Sequence, residues 1–433
     1  MRILHLSDIH IGVENYGRPA TESEVAALPP HFAPGADRAQ YVGMSTRLLD
    51  FLCTLDEAMA HALANDVDLV LFAGDAYKSR DPSQTHQREF ARRIARLSRA
   101  GIPVFLTVGN HDLPHVANRA TALEIFPTLA VDNVTVGATL ETYRVSTRHG
   151  PVQVVALPWV RIGEFMKREE TRNLTLEQIT RSVEARITAL LQEQAEALDP
   201  SLPAFLCAHV TVTGAVYASE RTMMLGNDHA LTLGTMANPA FDYVALGHIH
   251  KHQVLTRNPH VVYPGSLQRV DFSEEAQAKG FCVIDLDERR PRGERLRDFR
   301  FVEVGARRLL TIDARAGEGD DPTDKCLIAI EKQASLVEGA VVRLRVAMPT
   351  AVAPLFREPT VRQALAPAHH VAGIERQIQR DHRTRLGDED AASLTPIDAL
   401  RRYLAARNTP EARKRDLVAA AEELLRHEVE GHA

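Results

Sequence analysis

The chain opens Met1-Arg2-Ile3-Leu4-His5-Leu6-Ser7-Asp8-Ile9-His10-Ile11-Gly12, an apolar run that turns polar at Asp8. Arg2 to Leu6 reads as a buried strand, and Asp8-x-His10 follows at its tip. A spacing of two puts both side chains on one side of an extended segment. The same grammar recurs downstream. Val67 to Ala73 is a continuous apolar run ending at Gly74-Asp75, and Pro103 to Val108 ends at Gly109-Asn110-His111-Asp112. Two stretches of helical period lie between these runs: Thr46 to Ala64, with Leu49, Leu52, Leu55, Ala58 and Met59 on one face, and Ser83 to Ala100. Strand and helix alternating in this way predict a parallel sheet with right-handed crossovers.

Farther on, Val152 to Leu157, Ala204 to Ala208, Tyr243 to Leu246, Val261 to Tyr263 and Phe281 to Leu286 read as short buried strands, interrupted by a long helix over Leu176 to Ala197. Two of these strands also end in chemistry, at His209 and at Gly247-His248-Ile249-His250. Two packed sheets with helices outside are expected, closing near Gly305. A smaller α/β region is expected from Arg307, with strands at Leu309 to Asp313 and Val341 to Val346. A helix around Asp321 to Ala334 lies between them, although Leu327 to Ile330 also fits a strand.

Past the polar stretch Asp388-Glu389-Asp390, Thr395-Pro396 and Thr409-Pro410 each read as an N-cap followed by proline in the first helical turn. The two helices they open carry Ile397, Leu400 and Leu404, then Leu417, Ala421, Leu424 and Leu425, at helical spacing. Residues 13–45 are rich in Pro, Gly and Ala and show little periodicity. A loop of that length directly after the first motif is expected to border the site. The expected division is 1–304, 305–387 and 388–433.

The bulk composition excludes several classes. A chain of 433 residues with 45% hydrophobic and 25% charged residues is that of a globular protein, neither fibrous nor disordered. No apolar run approaches the roughly 20 residues of a membrane helix, and the first residues are too polar for a secretory signal. Cys53, Cys207, Cys282 and Cys326 are scattered and form no C-x-x-C pair, so free thiols in a reducing, cytoplasmic compartment are expected. A net charge of -6 argues against nonspecific polyanion binding. A metal centre or a local basic patch would offset it. The richest basic run, Arg289-Arg290-Pro291-Arg292-Gly293-Glu294-Arg295-Leu296-Arg297, reads first as a solvated loop between two strands.

Taken singly, each polar motif is weak: Asp-x-His, Gly-Asp and His-x-His are all common in turns. Taken together, five of them stand at the carboxyl ends of strands, where α/β sheets bind ligands. A metal can take both members of Asp8-x-His10 or of His248-x-His250, or two adjacent metals can take one each. Asp75 has two oxygens able to bridge adjacent cations. Gly74, Gly109 and Gly247 allow tight strand-to-loop turns beside the cluster.

The five motifs resemble those of the calcineurin-like metallophosphoesterases, whose pattern is D-x-H, G-D, G-N-H-D/E, H and G-H-x-H, over roughly the first 300 residues. Within that family the chain is similar to the bacterial nuclease subunits of the SbcD type, counterparts of the meiotic-recombination nuclease of archaea and eukaryotes. The similarity rests on the opening segment, on Phe241 to His250, and on Tyr263-Pro264-Gly265-Ser266-Leu267-Gln268-Arg269 with Asp271-Phe272-Ser273-Glu274. The resemblance implies a four-layer α-β-β-α sandwich, a smaller α/β capping domain that grips DNA, and a C-terminal helical hairpin. It implies two cations, favouring Mn2+, bridged by Asp75. Asp8, His10 and His250 would complete one site, and Asn110, His209 and His248 the other. His111 would contact the phosphate and protonate the leaving alkoxide. Asp112, next in sequence, reads equally as the partner that orients its ring or as the carboxylate of a helix start or turn.

The implied partners are DNA, an SbcC-like coiled-coil ATPase held through residues 396–430, and a second copy of the chain; none of them is a membrane. His5, His252 and His260 read as packing or surface residues. Two other readings fit the same residues, a small-molecule phosphodiesterase or phosphatase on this core and a noncatalytic metal scaffold. The segment 13–45 departs from the family pattern and leaves substrate preference open.

Overall fold

Each apolar run of the first third becomes a strand because both of its faces are covered. In Arg2–Leu6, Ile3 points into one apolar cluster, while Leu4 and Leu6 point into another. The computed structural model describes residues 1–114, 119–161, 174–217, 230–379, 395–407 and 409–430. Its first sheet has the order Leu296–Glu303, Gly280–Leu286, Arg2–Leu6, Leu69–Phe72, Val104–Thr107, Val134–Gly137. The last four strands are mutually parallel, and the first two run antiparallel. A second six-stranded sheet has the order Gln253–Arg257, His260–Tyr263, Tyr243–Gly247, Ala204–His209, Gly150–Leu157, Thr142–Thr147, parallel at its centre and antiparallel at both edges.

The two sheets pack face to face through Ile3, Leu69, Leu71 and Phe105 against Val152, Val154, Phe205 and Tyr243. Helices Thr46–Ala64 and Gln84–Arg99 cover the outer face of the first sheet through Leu52, Leu55, Met59, Phe90, Ile94 and Leu97. Helix Leu176–Glu196 covers the second sheet with Val183, Ile187 and Leu191. The architecture is therefore the expected α-β-β-α sandwich. A side chain such as Phe105, wholly buried between the sheets, contributes about 1.5–3 kcal/mol by leaving water.

Beyond Glu303 a three-stranded sheet has the order Leu309–Arg315, Val341–Pro349, His370–Gln379. Helix Pro322–Glu331 settles Leu327 to Ile330 as helical. One compact unit comprises Met1–Asp313, Leu327–Arg345 and Glu358–Glu375, and the other Ala314–Cys326, Val346–Arg357 and Arg376–Ala433. The second unit contains helices Pro396–Ala406 and Glu411–Glu430. The Thr395 side chain accepts from the Asp398 amide, the cap its sequence announces. Leu404 is buried, while Tyr403 and Leu417 are exposed. Asp388-Glu389-Asp390 and the side chains of Leu424 and Leu425 lie outside the described residues.

Three features differ from the sequence reading. Strands Val134–Gly137, Thr142–Thr147, Gln253–Arg257, Leu296–Glu303 and His370–Gln379 carry no apolar run to signal them. All of them stand at a sheet edge, where half-wet faces carry polar residues. Residues 13–45 contain helix Glu22–Ala26, closed by a Thr21–Glu24 capping box, and the 3-10 turn Arg38–Tyr41. The basic run is only partly solvated, because Arg295 is buried and donates to Asp242 and to the Leu202 and Pro200 carbonyls. No described helix is long and apolar enough to cross a membrane. The four cysteines are free, with Cys207, Cys282 and Cys326 buried.

Candidate metal centre

The first sheet delivers its residues to the site through a strained backbone. Asp8, His10 and Asp75 have φ of 53°, 51° and 61°, and His248 on the second sheet has 100°. Side chains larger than glycine avoid this region, and departures of this kind cluster where function requires them. The strain is held by a local ladder: the Asp8 amide donates to the Gly74 carbonyl at 3.0 Å and the His10 amide to the Asp75 carbonyl at 3.1 Å. Two glycines are needed for close approach. A methyl group at Gly109 would strike the Asp75 carboxylate, and one at Gly247 would strike the Ala73 carbonyl.

All nine residues singled out from sequence meet here. The ring nitrogens of His10 and His250 face each other at 2.8 Å. His10 Nε2 lies 4.0 Å from Asp8 Oδ1 and 3.7 Å from Asp75 Oδ2. On the far side of Asp75 Oδ2, His209 Nε2 stands at 3.5 Å. Asn110 Oδ1 lies 3.0 Å from His209 Nε2 and 3.2 Å from His248 Nδ1. Three groupings have ligand atoms mutually within 4.8 Å: Asp8, His10 and His250; Asp8, Asp75 and His209; and His10, Asp75 and His111. Asp75 thus lies between imidazoles on both sides.

The tautomers are set from outside the cluster. His209 Nδ1 donates to the Ala73 carbonyl at 2.7 Å, which turns Nε2 toward Asp75. His250 Nδ1 faces Glu274 Oε1 at 2.8 Å, which turns its Nε2 inward. Glu274 belongs to none of the five motifs, and its role appears only in the fold. It is wholly buried, paired at 2.8 Å with buried Lys279, and Lys279 in turn donates to the His250 carbonyl at 3.0 Å and to Ser266 at 2.8 Å. The sequence places Glu274 in a segment that carries the resemblance but does not assign it a role. Trp159 is a second residue whose role the sequence does not assign: its ring lies 4.8 Å from that of His248, tilted by 37°.

His111 and Asp112 part company. The His111 amide donates to Asp75 Oδ1 at 2.8 Å, and its ring Nδ1 is held by the Lys78 carbonyl at 2.8 Å. The Asp112 carboxylate instead accepts from the backbone amides of Asp75, Ala76 and Gly109 at 2.9, 3.0 and 3.0 Å. The ring-orienting place expected for Asp112 is filled by a carbonyl, and Asp112 clamps the loops. Among the packing histidines, His5 is buried against Tyr243 and the Leu246 carbonyl, and His252 stacks on Phe301.

The electrostatics show how much negative charge is confined. Burial raises the Asp8 carboxyl to about 6 although His209 and His250 oppose it. Burial, reinforced by Asp75, lifts Asp112 to about 7. Burial also pushes Asp75 upward, but His209 and His111 outweigh it and hold Asp75 well below the usual carboxylate range. Burial disfavours charge on His209, yet Asp75 outweighs it and raises His209 to about 9. Asp8 and Asp75, buried and surrounded by imidazole nitrogens, form a set that a divalent cation satisfies.

Residues 1–252, more than half of the chain, match the family model described as calcineurin-like phosphoesterase. Over 304 residues the chain is 30% identical to a protein of Rhodobacter capsulatus named as the SbcD component of the SbcCD nuclease, an alignment covering 66% of each. It is 23% identical over 289 residues to the protein of that name from Staphylococcus epidermidis, again covering 66% of each. The chain therefore spans just under two thirds of the length of these relatives. A dimetal phosphatase from Danio rerio aligns over 66% of this chain and 92% of its own, at 13% identity and a TM-score of 0.33. The strand-end motifs, the pocket they build and the match over residues 1–252 make this chain a member of the calcineurin-like phosphoesterase family.

Proposed function

We propose that the chain is a metal-dependent phosphodiesterase acting on DNA, the nuclease component of an SbcCD-type complex. The observation that carries the reading is the convergence of Asp8, His10, Asp75, Asn110, His209, His248 and His250 in one pocket, in a chain similar to two SbcCD nuclease components. In this reading Asp75 would be shared between two cations, with Asp8, His10 and His250 completing one site and Asn110, His209 and His248 the other. Bound there, divalent cations such as Mn2+ would supply Lewis acidity toward a phosphate oxygen and toward a water. The protein's part is to hold the pocket rigid and to move a proton. His111, with Nδ1 fixed on the Lys78 carbonyl, presents Nε2 to the leaving oxygen and donates to it when protonated.

The boundaries proposed are a nuclease domain over 1–304, a capping, DNA-gripping domain over 305–387, and C-terminal helices over 388–433. The exposed Tyr403 and Leu417 on the helices within 396–430 suit a helix-in-groove contact with an SbcC-like ATPase. A cytoplasmic homodimer working in double-strand break repair and recombination completes the reading.

The test is digestion of end-labelled linear duplex DNA by the purified chain with manganese, beside Asp75→Ala and a chelator control. Degradation lost in both controls supports the nuclease. Intact duplex, with and without an SbcC-like partner, beside cleavage of a small phosphodiester would overturn it in favour of a small-molecule phosphodiesterase.

A further inference from the structure

Aromatic residues are scarce in this chain, 5% of the total. Two of them meet at half-exposed positions on segments that lie next in sequence to metal-site residues. Phe272 lies in the 3-10 turn Phe272–Glu274, two residues before the glutamate that holds His250. Tyr16 lies in the segment that follows Asp8-x-His10, and its backbone is left-handed, with φ of 68°. A bulky residue in that conformation is held there at a cost.

The Tyr16 and Phe272 rings meet edge to face at 5.6 Å, and the His370 ring lies 6.1 Å from Tyr16. Above Phe272, 4.4 Å from its centroid, sits the Arg343 guanidinium. Arg343 is itself anchored: it donates to Thr311 Oγ1 at 3.1 Å, and that hydroxyl donates to Glu275 at 2.6 Å, in the residue directly after the turn. Its Nε has no hydrogen-bond partner among the described residues. All of these residues belong to one compact unit. Packing alone does not call for a strained tyrosine, a half-exposed phenylalanine and a fixed guanidinium in one place.

We infer that Tyr16, Phe272, His370 and Arg343 form a platform for one unpaired nucleobase of the strand entering the metal centre. Aromatic faces accept any base by stacking, and a guanidinium beside them contributes both a cation–π face and a contact to the flanking phosphate. The platform recognises single-stranded character next to the cleaved bond and carries no sequence preference. It rests on the nucleic-acid reading above and sharpens it, because the enzyme would engage a frayed end or displaced strand before cutting.

The test uses a short single strand carrying 2-aminopurine beside a phosphorothioate-protected linkage, and the same strand with an abasic site at that position. The intact protein, with Mn2+ bound, is titrated with each. The expected result is quenched 2-aminopurine fluorescence on binding and affinity about 10-fold or more weaker for the abasic strand. Tyr16→Ala, Phe272→Leu and Arg343→Met should erase that difference in affinity and the quenching. Equal affinity for both strands in the parent, or quenching undiminished in folded Tyr16→Ala and Arg343→Met, overturns the platform. Cleavage of unprotected DNA beside equal affinity for the base-bearing and abasic strands leaves the nuclease standing and removes the platform. Base quenching without cleavage of any DNA does the reverse.

Discussion

The two halves of the metal centre are built by different means. The rim of the first sheet contributes the carboxylates and three left-handed residues, and it is held through its backbone. Asp112 accepts three main-chain amides, and the Asp8 and His10 amides run along the Gly74 and Asp75 carbonyls. The rim of the second sheet contributes His209, His248 and His250, and there it is ring orientation that is fixed: His209 by the Ala73 carbonyl, His250 by Glu274 backed by Lys279. Carboxylates bind a cation in either orientation, so placing them requires only that the loop be fixed. An imidazole offers one lone pair, so its tautomer must be chosen by a partner. Asp75 joins the two rims, since its Oδ2 lies 3.7 Å from His10 and 3.5 Å from His209.

Removing that joint should have the largest effect. Asp75→Ala is expected to cost activity by well over the ~10–100-fold typical of an outer partner, and to leave a pocket that holds less metal by elemental analysis. Full metal content in a folded Asp75→Ala protein would refute the joint. The next two variants separate the rims. Asp112→Ala strands buried amides at about 1–3 kcal/mol for each left unsatisfied, so its loss should appear first in denaturant unfolding, with chelator present. Glu274→Gln strands the Lys279 ammonium, so it is paired with Lys279→Met to remove the unpaired charge. The double variant should recover most of the stability lost by Glu274→Gln alone and still bind metal ~10–100-fold more weakly, read by direct titration. Should the double variant bind metal like the parent, His250 does not need its carboxylate and the contrast between the rims fails.

What can be read from sequence follows the same divide. Asp8, Asp75, Asn110, His209 and His250 announce themselves because each follows a strand whose apolar run is continuous, and their meaning is local. Glu274 stands in a segment that carries the resemblance, but its role is not legible there, because it depends on a histidine 24 residues earlier. Asp112 is visible but its role is not: adjacency to His111 suggests a ring partner, while the turn at Gly109 points its carboxylate at the backbone. The central strands are legible and the edge strands are not. Leu296–Glu303 alternates Phe299 and Phe301, packed toward the inter-sheet core, with exposed charge, so it lacks the unbroken apolar signal of a strand covered on both faces.

The smallest effect concerns what ties the rims together beneath the pocket. His5, on the inner face of the first strand, reaches across to the second sheet, where its ring nitrogens meet the Tyr243 hydroxyl at 2.9 Å and the Leu246 carbonyl at 3.1 Å. Burial lowers its pKa to about 3, the Leu246 carbonyl opposing only in part. Above pH ~6.5 the ring is neutral folded or unfolded, and it contributes no pH dependence. Below that, the unfolded chain takes up a proton that the folded one refuses, so stability falls as the pH drops from ~6.5 toward 3. The slope for one group is at most ~1.4 kcal/mol per pH unit. His5→Gln retains a donor for Leu246 and cannot titrate. Its unfolding free energy should therefore decline less steeply over that window than the parent's, while the carboxylates common to both proteins cancel in the difference. Parallel curves from pH 7 to 4 would mean that the folded protein lets the ring charge, and that the His5 bridge is no part of what holds the two sheets together beneath the pocket.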